Sequence, residues 1–263
     1  MKQLTFILSI FLILVLGSVK NSFCQEDKFI IVYNNMSAET DLESDWGYAA
    51  WIELDGEIYL FDSGTKGDIF KSNLEKLNLD PGKINKVIIS HNHYDHIGGL
   101  SAISEELKPN TKVYLPEMID DELLKQMNSL DFQVEKDFKK IGDRIWITRV
   151  MENPANRIKE HALVIEKGEK YIIITGCAHP GISGMCKEIA DYFQGKTPEL
   201  VTGGFHLIAT SDSNVEEISA TLKEIGIEKA GASHCTGEKA ISIFQKDWGE
   251  NFVQLYLGDE YVF

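Results

Sequence analysis

The stretch Val87-Ile88-Ile89-Ser90-His91-Asn92-His93-Tyr94-Asp95-His96-Ile97-Gly98-Gly99-Leu100 decides how the chain is read. An apolar, strand-like run stops abruptly, and three histidines and an aspartate follow within six positions. Alternate side chains of an extended segment share a face, so His91 and His93 can point at one ion. The chain then turns toward Gly98-Gly99, which can carry Asp95 and His96 to a second ion close by. Imidazole and carboxylate together suit Zn²⁺, with Fe²⁺ and Mn²⁺ as alternatives. Without a ligand, so many ionisable groups at the end of a buried strand would be costly.

Three further segments repeat the pattern of strand, small-residue turn and polar donor. Gly176-Cys177-Ala178-His179-Pro180-Gly181 follows the apolar run Tyr171–Ile174. Gly203-Gly204-Phe205-His206-Leu207 follows Leu200-Val201, and Ser233-His234-Cys235-Thr236-Gly237 follows Ala230-Gly231-Ala232. Loops along one edge of a rigid sheet are where sites are usually assembled. Six of the seven histidines fall in these four segments. The exception, His161 beside Glu160, is expected at the surface or behind the ligands as a support.

Short apolar runs alternate with helix-like stretches from Phe29 onward. Strands are expected at Phe29–Tyr33, Ala49–Leu54, Ile58–Phe61, Lys86–Ile89, Lys112–Leu115, Arg144–Val150, Ala162–Glu166, Tyr171–Thr175, Glu199–Thr202, Lys229–Ala232 and Phe252–Tyr256. Helices are expected at Asp68–Leu77, Asp120–Leu130, Ile182–Phe193, Val215–Ile225 and Gly237–Gln245, with Ser213 or Asn214 as an N-cap. No repeat or Pro-rich linker divides the chain, so 25–263 reads as one layered α/β domain.

Residues 1–24 stand apart: Lys2, then the apolar run Phe6–Leu16, then polar residues and the small Ser22 and Cys24. This is the pattern of a secretory signal, too short for a comfortable membrane span, with export to the periplasm or outside as its consequence. An uncleaved anchor is the alternative. The segment carries Lys2 and Lys20 and no acid, so its removal takes the net charge from −15 to −17. A chain this acidic should repel nucleic acid, and a small-molecule substrate is the expected partner. Of four cysteines, Cys177, Cys186 and Cys235 would remain, an odd number that does not suggest a disulfide framework; a Cys177–Cys235 or Cys177–Cys186 bond stays open.

His91-Asn92-His93-Tyr94-Asp95-His96 resembles the HxHxDH signature of the metallo-β-lactamase superfamily, and Asp62-Ser63-Gly64 resembles its upstream Asp-x-Gly turn. Trp46-Gly47, the Gly176–Gly181 turn, the Gly203–Leu207 turn and His234–Gly237 look like its dihydropterin ribofuranosylaminobenzene phosphate synthase-like branch. The resemblance implies an αββα sandwich, two mixed sheets face to face with helices outside and metals at one edge. It implies that His91, His93 and His179 hold a first ion and Asp95, His96 and His234 a second. A carboxylate that bridges the ions elsewhere in the superfamily is replaced here by Cys177.

The expected activity is hydrolysis of a phosphoester or other small ester by a metal-bound hydroxide, with two zinc ions and iron or manganese as alternatives. Asp95 would ligate and orient the nucleophile, and His206 would serve the substrate or leaving group. The rivals are an iron-dependent oxidoreductase or dioxygenase, a non-enzymatic metal-binding protein, and a true β-lactamase.

Overall fold

A computed structural model describes residues 26–38 and 40–263; the segment read as an export signal lies outside the described residues. The strands carry apolar side chains on both faces. Along Lys28–Asn34, Phe29 and Ile31 enter one core while Ile30 and Val32 enter another. Leu163 and Ile165 are likewise separated from Val164, and Ile172 and Ile174 from Tyr171 and Ile173. A sheet apolar on both faces must be covered on both, which requires a layered structure.

The first sheet runs, in spatial order, Glu260–Val262, Lys28–Asn34, Tyr48–Leu54, Glu57–Phe61, Lys86–Ile88, Lys112–Leu115 and Asp131–Val134. Its pairs are antiparallel as far as Glu57–Phe61 and parallel beyond. The second runs Lys229–Ser233, Thr197–Gly204, Lys170–Thr175, Leu163–Lys167, Ile145–Ile147 and Lys139–Lys140, with the first three parallel and the rest antiparallel. A two-stranded ribbon joins Met151–Glu152 to Lys159–Glu160.

Phe61 and Ile88 of the first sheet share one core with Leu163, Ile172 and Leu200 of the second. Helices Gly67–Lys76 and Leu100–Ile103 cover the outer face of the first sheet through Phe70, Leu74, Leu100 and Ile103. Helices Ile182–Tyr192, Asp212–Glu224 and Glu238–Trp248 cover the second through Met185, Ile189, Leu222 and Phe244. The architecture is the αββα sandwich of two mixed sheets.

Several local expectations are corrected. The run Phe252–Tyr256 is no strand; Phe252 makes one bridge to Ala230, and Leu255 drops into the inter-sheet core. The chain then turns and pairs Glu260–Val262 with Lys28–Ile30 instead. The helix expected over 120–130 exists only as Asp121–Gln126, which buries no residue fully, and a short helix without a buried stripe does not extend. Strand structure within 144–150 is confined to Ile145–Ile147. The helix placed at 215–225 starts at Asp212 with Ser211 at the cap and no side-chain cap bond, so neither Ser213 nor Asn214 caps it. Cys177, Cys186 and Cys235 are all free and buried, and neither disulfide forms. Among the described residues no helix is long and apolar enough to cross a membrane.

Candidate metal centre

Five strands end at one edge of the sandwich. Glu57–Phe61 and Lys86–Ile88 of the first sheet, parallel to each other, deliver Asp62 and the 90–96 segment from their C-terminal ends. Lys170–Thr175, Thr197–Gly204 and Lys229–Ser233 of the second deliver the turns of His179, His206 and His234. The facing edges approach closely because Gly176 has no side chain: a Cβ there would lie 2.0 Å from Ser90 Oγ. One at Gly204 would lie 2.3 Å from the Gly176 carbonyl oxygen and 2.6 Å from Cys235 Sγ. Asp62, Ala178, His206 and His234 all turn through the left-handed backbone region (φ 59°, 57°, 54° and 49°). Such conformations are uncommon for residues with a side chain and gather where a site demands them.

The six expected ligands come together in two adjoining groups. His91, His93 and His179 form one, and Asp95, His96, His234 and Cys177 the other; within each, one donor atom per residue lies within 4.8 Å of the rest. His91 Nε2 and His93 Nδ1 stand 3.1 Å apart. Asp95 Oδ2 is 3.5 Å from His234 Nε2 and 3.7 Å from His96 Nε2, and Cys177 Sγ is 3.3 Å from His96 Nε2. His206 is exposed at the rim, its ring centroid 4.1 Å from that of His179, and it forms a third group with His179 and Cys177.

The rings are oriented from behind by residues that motif reading left without a role. Asp62 is fully buried and accepts from Ser90 N (2.6 Å), Ser90 Oγ (2.7 Å) and His96 Nδ1 (2.7 Å). With its hydroxyl proton committed to Asp62, Ser90 Oγ accepts from His91 Nδ1 at 2.9 Å. Asn35 Oδ1 accepts from His234 Nδ1 at 2.8 Å. Three rings therefore spend Nδ1–H outward and aim Nε2 inward, the arrangement that orients a ligating histidine. Glu160, also fully buried, accepts the backbone N–H groups of Cys177 (2.9 Å), Ala178 (2.8 Å) and His179 (2.8 Å) and so shapes their loop. The signal for it was an acid leading into an apolar strand; Asn35 offered none. His161 is fully buried, with neither ring nitrogen partnered, and its backbone N–H donates to the Ser90 carbonyl. It is a support behind the site, and the surface alternative is corrected.

Electrostatics leave His91 and His179 neutral and Asp95 ionised, as ligation requires, whereas His96 keeps its proton until a cation displaces it. Burial and the neighbouring imidazoles push His91 far below its ordinary value, and the same causes bring His179 down to about 3. Burial opposes the charge on His96, but Asp62 outweighs it and raises that ring to about 9. Burial also opposes ionisation of Asp95, yet His234 and His96 hold the carboxylate below its usual range. His179 Nδ1 and Nε2 and His234 Nε2 are buried without a hydrogen-bond partner. Unpaired buried acceptors are expensive, and a cation shared among converging lone pairs removes the cost. The donor set fits a divalent metal of the nitrogen, oxygen and sulfur-accepting kind.

Comparison with known proteins agrees with this geometry. Residues 47–185, more than half of the chain, match the family described as the metallo-beta-lactamase superfamily. The 7,8-dihydropterin-6-methyl-4-(beta-D-ribofuranosyl)-aminobenzene-5'-phosphate synthase of Methanocaldococcus jannaschii is 28% identical over 244 residues, covering 76% of this chain and 82% of its own. A solved metal-dependent hydrolase of the beta-lactamase superfamily superposes with a TM-score of 0.74 at 25% identity, over 89% of this chain and 98% of its own. The fold of YhfI from Bacillus subtilis is also shared, with a TM-score of 0.65 at 14% identity over 91% and 100% of the two chains. Fold, signature and converging donors lead to one conclusion: the chain belongs to the metallo-β-lactamase superfamily.

Proposed function

We propose that the protein is a metal-dependent hydrolase with a two-ion centre, acting on a phosphoester or other small ester. The observation that carries the reading is the pair of adjoining donor groups, with His91 in one and His96 and His234 in the other fixed from behind. His91, His93 and His179 would hold one ion and Asp95, His96 and His234 the other, with Cys177 beside the second. Zinc, when bound, supplies Lewis acidity that lowers the pKa of a water to roughly 7 and offsets charge on substrate oxygens.

The chain's own residues do the rest. Asp62 and Ser90 hold His96 and His91 in one tautomer. The ionised Asp95 would accept a hydrogen bond from the attacking water and orient it, a role supported by its position beside His96 and His234. His206 would donate to the substrate or to the leaving group, a role supported by its exposure beside His179. The likeness to a synthase whose name carries a 5'-phosphate supports a phosphate ester. The apolar run and small residues of 1–24 support export, and the acidic net charge supports a small-molecule substrate over nucleic acid.

Purified protein assayed against phosphomonoesters, phosphodiesters, lactones and thioesters should hydrolyse at least one, with activity lost on chelation and restored by zinc. Protein that holds iron and consumes oxygen, with no hydrolysis across the panel, would establish the oxidoreductase in its place.

A further inference from the structure

We propose that the cleft beside His234 is a binding pocket for a flat, uncharged aromatic or heteroaromatic group of the substrate. The cleft has a volume of about 460 Å³, within the range of small-molecule sites, and is larger than the cavity of on the order of 150 Å³ that takes up benzene. Its apolar lining comes from Met36, Trp46, Leu207, Ile208, Val215 and Ile241. Trp46 is 36% exposed, and its ring lies 4.9 Å from the His234 imidazole, centroid to centroid. Ile208, two residues beyond His206, is 61% exposed. An indole and a large aliphatic chain exposed together at the mouth of a polar site mark a surface that a ligand covers.

The charges select the kind of group. The polar lining includes Asp212, Glu238 and Lys239, and Lys239 Nζ is held by Asp212 at 2.6 Å. Asp212 and Glu238 also stand in the first turns of the helices Asp212–Glu224 and Glu238–Trp248, where they already answer the positive helix ends. No cation of the lining is left for an anionic group, and the balance is one net negative charge. An uncharged ring that stacks on Trp46 satisfies both the apolar wall and this charge. Its floor is His234, held by Asn35, so the rest of a seated substrate extends toward the donor groups. What the ring is attached to rests on the hydrolase reading; the pocket itself does not.

The test is titration of 2-naphthol into the purified, metal-loaded protein, followed by calorimetry, with Trp46→Ala and Ile208→Asp as variants and metal content measured for each. Saturable binding at one site, weakened about tenfold or more in each variant at unchanged metal content, is the expected result; tenfold is about 1.4 kcal/mol, the size of a lost aromatic stack with its area. Absence of saturable binding, or binding indifferent to both substitutions, overturns the pocket. A naphthyl ester should be preferred to its methyl counterpart, and Trp46→Ala should erase the preference through KM. If 2-naphthol binds as described and no ester is cleaved, the pocket stands and the hydrolase reading falls.

Discussion

Asp62 orients His96 directly and His91 through Ser90. It accepts three hydrogen bonds at 2.6 to 2.7 Å, two from Ser90 and one from His96, with its side chain fully buried and its backbone at φ 59°. Asp62→Asn keeps the size and tolerates the left-handed backbone. It nevertheless replaces one carboxylate oxygen by an NH₂ that cannot accept from the proton-bearing groups now facing it. Hydrogen bonds to charged groups are worth about 1.5–3 kcal/mol each. The loss falls on the orientation of His96 and, through Ser90, of His91, one ring in each donor group. Residues supporting ligands in this way typically change metal affinity by about 10–100-fold. Competition against a fluorescent zinc chelator should therefore show zinc affinity reduced by that factor, while circular dichroism at matched temperature shows the variant folded. Wild-type zinc affinity in a folded Asp62→Asn protein would refute the claim that Asp62 sets the ligating tautomers.

Further expectations follow from neighbouring residues. Glu160→Gln removes the acceptor for one of three loop N–H groups and should lower unfolding stability by about 1–3 kcal/mol, read as a shift in the urea midpoint at constant slope; an unchanged midpoint contradicts the loop role. Burial brings the His161 ring down to about 3 from an ordinary 6.5. The unfolded chain takes up a proton below pH 6.5 that the fold refuses, so this contribution is intact above pH 6.5 and is lost as pH falls toward 3. Relative to His161→Leu, the wild type should lose about 1 kcal/mol more between pH 6.5 and 5.5, and parallel pH profiles would exclude a buried neutral ring. His206→Ala should lower kcat by about 10²-fold or more with metal content unchanged; a fall in metal content would make it a ligand instead.

Periodicity and turn chemistry carried most of the architecture. Phe29–Tyr33 and Tyr171–Thr175 are apolar on both faces, which only a covered sheet accommodates, and both are strands. The run 252–256 misled because its apolar residues pack into the core with a single bridge to the sheet, while the true edge strand Glu260–Val262 carries only three residues. The ligand candidates were legible because histidines after strand ends are chemically conspicuous. Asn35 and Ser90 were not, because their roles depend on contacts such as that of Asn35 with His234, 199 positions away, which no local pattern encodes; Glu160 left only the mark of an acid leading into an apolar strand. His161 left surface and support both open because a lone imidazole beside a carboxylate fits either; its complete burial and its backbone bond to Ser90 decide for support.

Whether the two donor groups hold metal is decided by elemental analysis of purified protein, with His91→Ala as the control. About two zinc ions per chain are expected, reduced or lost in the control. Protein that binds no metal, even after refolding in excess zinc, would contradict this expectation.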